Sequence, residues 1–202
     1  MYTPKLNLMT NQHEAICFMQ RYSFATIVTV DNGVPSATHL PFVVSLREDK
    51  IILTSHFAKA NPQAKEILNG KPLVIFTEPN AYISTKHYDR EQNVPTWNYM
   101  AVHAYGCAVL IDNPEAKAQL LAQTIQFYEA DYLKQWNSFP EDYKLNMMKG
   151  ITGFEIVVDE LQGKSKLSQN RSVTEKQSII TQLKDSQLSA EKDIAEYMEK
   201  LK

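Results

Sequence analysis

The stretch from Phe24 to Leu46, FATIVTVDNGVPSATHLPFVVSL, decides the fold. Phe24–Val30 is β-branched and aromatic, a composition that suits a half-buried pleated surface. Asn32-Gly33 then sits between two apolar runs, the strongest short-range hairpin signal, because both residues tolerate positive φ. Pro35–Leu46 reads as the returning strand. Pro41 interrupts it and marks an edge or a bulge, since proline has no N–H to give a ladder.

The same signals recur outward from this hairpin. The polar turn Arg47-Glu48-Asp49-Lys50 leads to a third strand, Ile51–Ser55. Leu73–Thr77 and Ala81–Thr85, parted by Pro79-Asn80, are a fourth and a fifth. Tyr99–Asp112 and Gly153–Asp159 are a sixth and a seventh. Short strands at close spacing favour an antiparallel barrel or sandwich. Helices fill the gaps. Asn11 with Glu14 reads as a capping box for a helix reaching Tyr22. Asn61-Pro62 and Asn113-Pro114 each pair an Asn N-cap with proline at the first helical position. Ser138 with Glu141 reads as another capping box, with Pro140 in the first turn. Gly70 and Gly150 close helices. Ile179, Ile180 and Leu183, then Ile194, Tyr197, Met198 and Leu201, form two amphipathic stripes.

Composition narrows the function. The 202 residues are 44% hydrophobic and 22% charged, a globular balance that excludes disorder. Lys+Arg is 21 against Asp+Glu 23, a net charge of −2, so the chain lacks the basic excess of proteins that grip DNA through phosphates. Cys17 and Cys107 are far apart, which leaves no zinc finger or iron–sulfur site on cysteine alone. Cys107, in mid-strand, reads as a buried inert thiol. The five histidines show no metal-ligand spacing and there is no G-x-S-x-G, so no metal site and no catalytic triad is indicated. No cleavable apolar leader and no run near ~18 apolar residues is seen, and a soluble, reducing, cytoplasmic setting is expected.

Four segments carry unusual chemistry for their position. They are Thr38-His39-Leu40-Pro41-Phe42, Ser55 to Pro62, Pro95-Thr96-Trp97-Asn98-Tyr99, and Lys166-Leu167-Ser168-Gln169-Asn170-Arg171. In the second, a strand end runs into a helix start with Ser55, His56 and Lys59 beside it. Free N–H groups and a helix dipole there would suit a phosphate. The competing reading is a capped helix with an exposed Lys59 and a packed His56. The fourth is locally basic and amide-rich, either a clamp for a planar anionic ligand or a solvated linker. Ala104, Gly106 and Ala108 share one strand face whose small side chains admit a neighbouring sheet, a ligand or a second subunit.

These segments, in this order, with Met1-Tyr2-x-Pro4 at the start, resemble the PaiB family of FMN-binding negative transcriptional regulators of bacteria. The resemblance runs nearly end to end. It implies an α+β fold, an antiparallel split β-barrel with peripheral helices and a C-terminal helical segment. The barrel domain is expected over 1–163, with a basic loop and amphipathic helices over 164–202. It further implies a homodimer with FMN at the subunit interface, and repression of degradative-enzyme and sporulation genes. By analogy, Thr38, His39 and Leu40 line the flavin ring, while Ser55, His56, Lys59 and Asn61 hold the phosphate and ribityl end. Trp97, Tyr99, Lys166, Gln169, Asn170 and Arg171 reach the flavin from the partner subunit. A flavin-dependent oxidoreductase and a haem-handling protein are the alternatives on the same scaffold. No residue pair stands out as catalytic. DNA as a direct partner is disfavoured. The segment Ser186–Ser189 joins two helices like a helix-turn-helix, but the second carries Glu191, Asp193, Glu196 and Glu199 against Lys192 and Lys200.

Overall fold

The computed structural model describes residues 1–201. The Phe24–Leu46 reading holds at its turn. β1 (Phe24–Asp31) and β2 (Val34–Pro41) pair antiparallel with Asp31 opposite Val34. Asn32 and Gly33 take φ of 50° and 81°, the geometry that a two-residue hairpin of this hand needs. The returning strand is two strands, because the chain breaks after Pro41. β3 (Val43–Arg47) pairs not with β1 but with β4 (Lys50–Ala58).

The remaining elements are α1 (Gln12–Arg21), α2 (Gln63–Glu66), β5 (Leu73–Phe76), β6 (Asn80–Ile83), β7 (Thr96–Ile111), α3 (Pro114–Tyr128), α4 (Tyr132–Ser138), α5 (Glu141–Lys149), β8 (Ile151–Lys166), α6 (Val173–Lys184) and α7 (Ser189–Glu199). Strand order is β2-β1-β5-β7-β8-β4-β3, with β6 paired to β7. This path is open. β2 and β3 are its ends and no ladder joins them, so the expected split β-barrel is corrected to an α+β fold on a large open antiparallel sheet. The physical reason lies at Pro41: without an N–H, proline at the end of β2 offers a closing strand no donor on its outer edge.

The chain divides into two compact units. Unit 2 comprises 16–76 and 103–161, and its core is an aromatic stack. The Phe57 and Phe154 rings lie 4.8 Å apart, and Phe42 meets Phe154 edge-on at 6.2 Å and Phe76 at 6.0 Å. On β7, the close approach expected of the small-residue face is made by the neighbouring strand. A Cβ on Gly106 would lie 2.1 Å from the Val157 carbonyl oxygen. Cys107, on the other face, is exposed, which corrects the expected buried thiol. Asn113 caps α3 as expected, accepting from Ala116 N at 2.6 Å. Ser138 instead ends α4, its hydroxyl donating to the Gln135 carbonyl, and α5 starts behind Pro140 with no side-chain cap.

Unit 1 comprises 1–15, 77–102 and 162–202. Its core joins Met100 of β7 to Ile179, Ile180 and Leu183 of α6 and Ile194 and Met198 of α7, all buried. The two amphipathic stripes therefore face an interior. Ser172 and Glu175 close a reciprocal capping box on α6 that the sequence reading passed over. On α7, Glu196 pairs with Lys200 and Glu199 with Lys184. Among the described residues, no helix is long and apolar enough to cross a membrane.

Candidate functional site

In unit 2 the expected ligand residues cluster around β2. Burial alternates along the strand, so Thr38 and Leu40 face inward while His39 lies on the exposed face. His39 Nδ1 meets Thr26 Oγ1 at 2.9 Å, and its ring stacks on Phe24 at 6.4 Å. These three side chains therefore cannot all present to one ligand surface. What β2 does offer is backbone. It is an end strand of the sheet, so one row of its N–H and C=O groups has no ladder partner. The exposed face beside it is apolar: Phe24 is 69% and Val30 53% exposed, and Ala37 stands opposite Val28.

Thr38 belongs instead to a buried polar network. Its hydroxyl donates to Gln63 Oε1 and accepts from Asn61 Nδ2 at 3.0 Å. Gln63 is 2% exposed, and its Nε2 donates to Thr29 Oγ1 at 2.9 Å and to the Ser36 carbonyl at 3.0 Å. The Thr29 hydroxyl in turn donates a hydrogen bond to Glu66 Oε2 at 2.8 Å. Sequence reasoning missed Gln63 and Glu66. A polar residue in a short helix gives no signal until its strand partners are known.

The Ser55–Pro62 segment differs from the expected strand–helix junction. β4 runs on to Ala58, and α2 has only four residues, too few for an appreciable helix dipole. Ser55 is buried and donates to the Pro41 carbonyl at 2.7 Å. Asn61 Oδ1 accepts from Gln63 N at 3.0 Å. His56 is half-buried, and that burial lowers its pKa below the ordinary imidazole value. The Lys59 side chain is exposed, although its backbone N–H donates to the Gly150 carbonyl at 2.8 Å. His56 and Lys59 are thus the groups there left to meet an anion.

In unit 1, Trp97 is 53% exposed and packs edge-on against Tyr82 at 5.7 Å. Tyr99 follows on the same face of β7, with Lys164 Nζ 5.0 Å from its ring centroid. A separate cavity of about 280 Å³ is lined by Asn7, Thr96, Asn98, Lys166, Ser168 and Asn170, among others. The basic string thus lies at the end of β8 and in the turn behind it, not in a linker. Gln169 spends its amide on that turn, accepting from Leu167 N at 2.8 Å and donating to the Ser165 carbonyl. Arg171 is likewise committed. It donates to Asn93 Oδ1 at 2.8 Å, sits 3.6 Å over the Tyr88 ring and lies 3.9 Å from Glu175. Lys166 and Asn170 remain open to the cavity. Among the described residues, no three metal-ligating side chains gather.

This architecture is shared with flavin- and haem-protein structures. The flavocytochrome Anf3 of Azotobacter vinelandii aligns with a TM-score of 0.61 at 17% identity, over 77% of this chain and 67% of that one. The FAD and heme binding protein of Mycobacterium smegmatis aligns at 0.61 and 14% identity, over 79% and 73%. These likenesses define the fold. Sequence defines the family. Residues 1–160 match the family described as "Putative FMN-binding domain". The chain is 42% identical over 202 residues to "Protease synthase and sporulation protein PAI 2" of Bacillus subtilis (strain 168), covering 98% of this chain and 97% of that protein. The chain therefore belongs to the PaiB-type family of FMN-binding proteins, with FMN as its cofactor.

Proposed function

We propose that this chain is an FMN-binding negative transcriptional regulator, a cytoplasmic homodimer that holds flavin at its subunit interface. The observation that carries the reading is the exposed apolar face of β1 and β2, bounded by the unpaired edge of β2. A flavin needs an apolar surface for its ring and backbone donors and acceptors for its pyrimidine edge. The outward backbone of His39, flanked by Thr38 and Leu40, supplies the second, and the His39 side chain meets the ring. His56 and Lys59 are the donors for the phosphate. A second copy covers the rest of the face and brings Trp97 and Tyr99 to the flavin, which removes an apolar patch from water.

Bound FMN supplies one- or two-electron redox chemistry. The chain's own part is to orient the ring and to exclude water. Regulation then runs through a route other than α7 in a DNA groove. That helix is acidic, its Glu196 and Glu199 hold Lys200 and Lys184, and its apolar side is buried. Sedimentation velocity followed at the visible flavin band tests the reading. The band is expected to travel at the rate of a dimer. Flavin travelling with a monomer would contradict the interface site.

A further inference from the structure

β8 ends in two lysines, two residues apart, that no carboxylate neutralises. Lys164 is 8% exposed, and its Nζ donates to the Tyr2 carbonyl at 3.2 Å. Lys166 Nζ donates to Thr96 Oγ1. None of the ion pairs among the described residues involves either one. A buried ammonium without a counter-charge is costly, and two side by side repel each other. Burial, the largest influence, lowers the Lys166 pKa; Tyr99 nearby pulls it back up, and Lys164 lowers it by less than that. An anion beside Lys166, the one of the two that lines a cavity, would supply the missing counter-charge.

The cavity beside Lys166 is built to receive one. Its other walls set the amides and hydroxyls of Asn7, Thr96, Asn98, Ser168 and Asn170 beside the apolar Pro4, Leu6, Val94 and Pro95. The turn is held in advance. Ser168 sits at φ of 59°, a conformation that non-glycine residues adopt rarely, and its hydroxyl is bonded to the fully buried Asn98 at 3.1 Å. Gln169 closes the same turn from within. Such pre-ordering lowers the entropy lost on binding. At about 280 Å³ the cavity falls below the usual range for drug-sized ligands.

We propose that this cavity is a second ligand site, taking a small metabolite with a carboxylate or phosphate group that binds between Lys166 and the 168–170 turn. The site does not depend on where the flavin lies. Calorimetric titration of the full-length, FMN-loaded protein tests it, with inorganic phosphate in one arm and succinate in the other, at constant ionic strength. Saturable binding of at least one of them, one per chain, is expected. Lys166→Gln weakens it at least tenfold, and Lys166→Arg restores most of it. Saturation by phosphate alone or succinate alone identifies the anion class. No saturation by either below about 10 mM, a concentration corresponding to very weak binding, overturns the proposal. So does release of FMN by the anion, which would make the cavity part of the flavin site. If Lys166→Gln fails to fold, reductive methylation of the wild-type protein reads the same contact. Phosphate or succinate should then slow labelling of Lys166 at least threefold, and unchanged labelling overturns the proposal.

Discussion

Arg171 shows how a residue with ligand chemistry can be used up inside its own fold. The string Lys166–Arg171 was legible as polar, basic and unusual. Its division of labour was not, because the partners of Arg171 are Asn93 and Tyr88, about eighty positions away in the chain. The guanidinium is a clamp on the 88–93 segment. Arg171→Ala removes a charge-assisted hydrogen bond and a cation–π contact, and it should destabilise the fold by about 2–3 kcal/mol in urea. Arg171→Lys should recover only part of this, since an ammonium lacks the planar fork. A loss within about 0.5 kcal/mol for Arg171→Ala would show that the clamp is idle. Gln63 is the opposite case. Nothing in the sequence singled it out, and it holds Thr29, Ser36 and Thr38 together from a buried position.

At the scale of elements, local signals located strands and helices better than they bounded them. The Asn32-Gly33 hairpin, the Asn113 cap and both C-terminal stripes were readable because each depends on neighbours within a few residues. β4, β7 and β8 run longer than their apolar cores suggested. Ladder partners, not composition, extend them. Gly106 belongs here, because its need for a missing Cβ arises from the Val157 carbonyl on β8. Gly106→Ala forces backbone to move and should cost at least about 2–3 kcal/mol, read as a lowered urea midpoint. A midpoint unchanged from wild type would mean the strands separate freely there.

Burial also gives the strands a pH signature. His56 on β4 and His103 on β7 both have folded pKa values lowered by desolvation, below the 6.5 of a free imidazole. As pH falls through that value, the unfolded chain takes up protons that the folded chain refuses. Stability is therefore full above the free value and declines below it, until the folded pKa is passed. The urea midpoint without added flavin should fall between about pH 7.5 and about pH 5.5. His56→Gln should reduce that slope. An identical slope in the variant would assign the acid sensitivity elsewhere.

For the whole molecule, family and cofactor were legible before any fold was known, because four motifs in fixed order leave few alternatives. The split β-barrel was not. Closure depends on whether the last strand finds the first, and no local pattern records that. Pro41 was the one residue that hinted at the outcome, as an expected edge. The same open edge, beside an uncovered apolar face, is what makes the sheet a flavin surface in this account. FMN binding is therefore the claim on which the rest stands. Fluorescence titration of FMN into flavin-free protein tests it most directly, with riboflavin as the comparison. Saturable quenching that ends at one FMN per chain is expected, with riboflavin binding at least tenfold weaker for want of the phosphate. FMN fluorescence that shows no saturable change would contradict it.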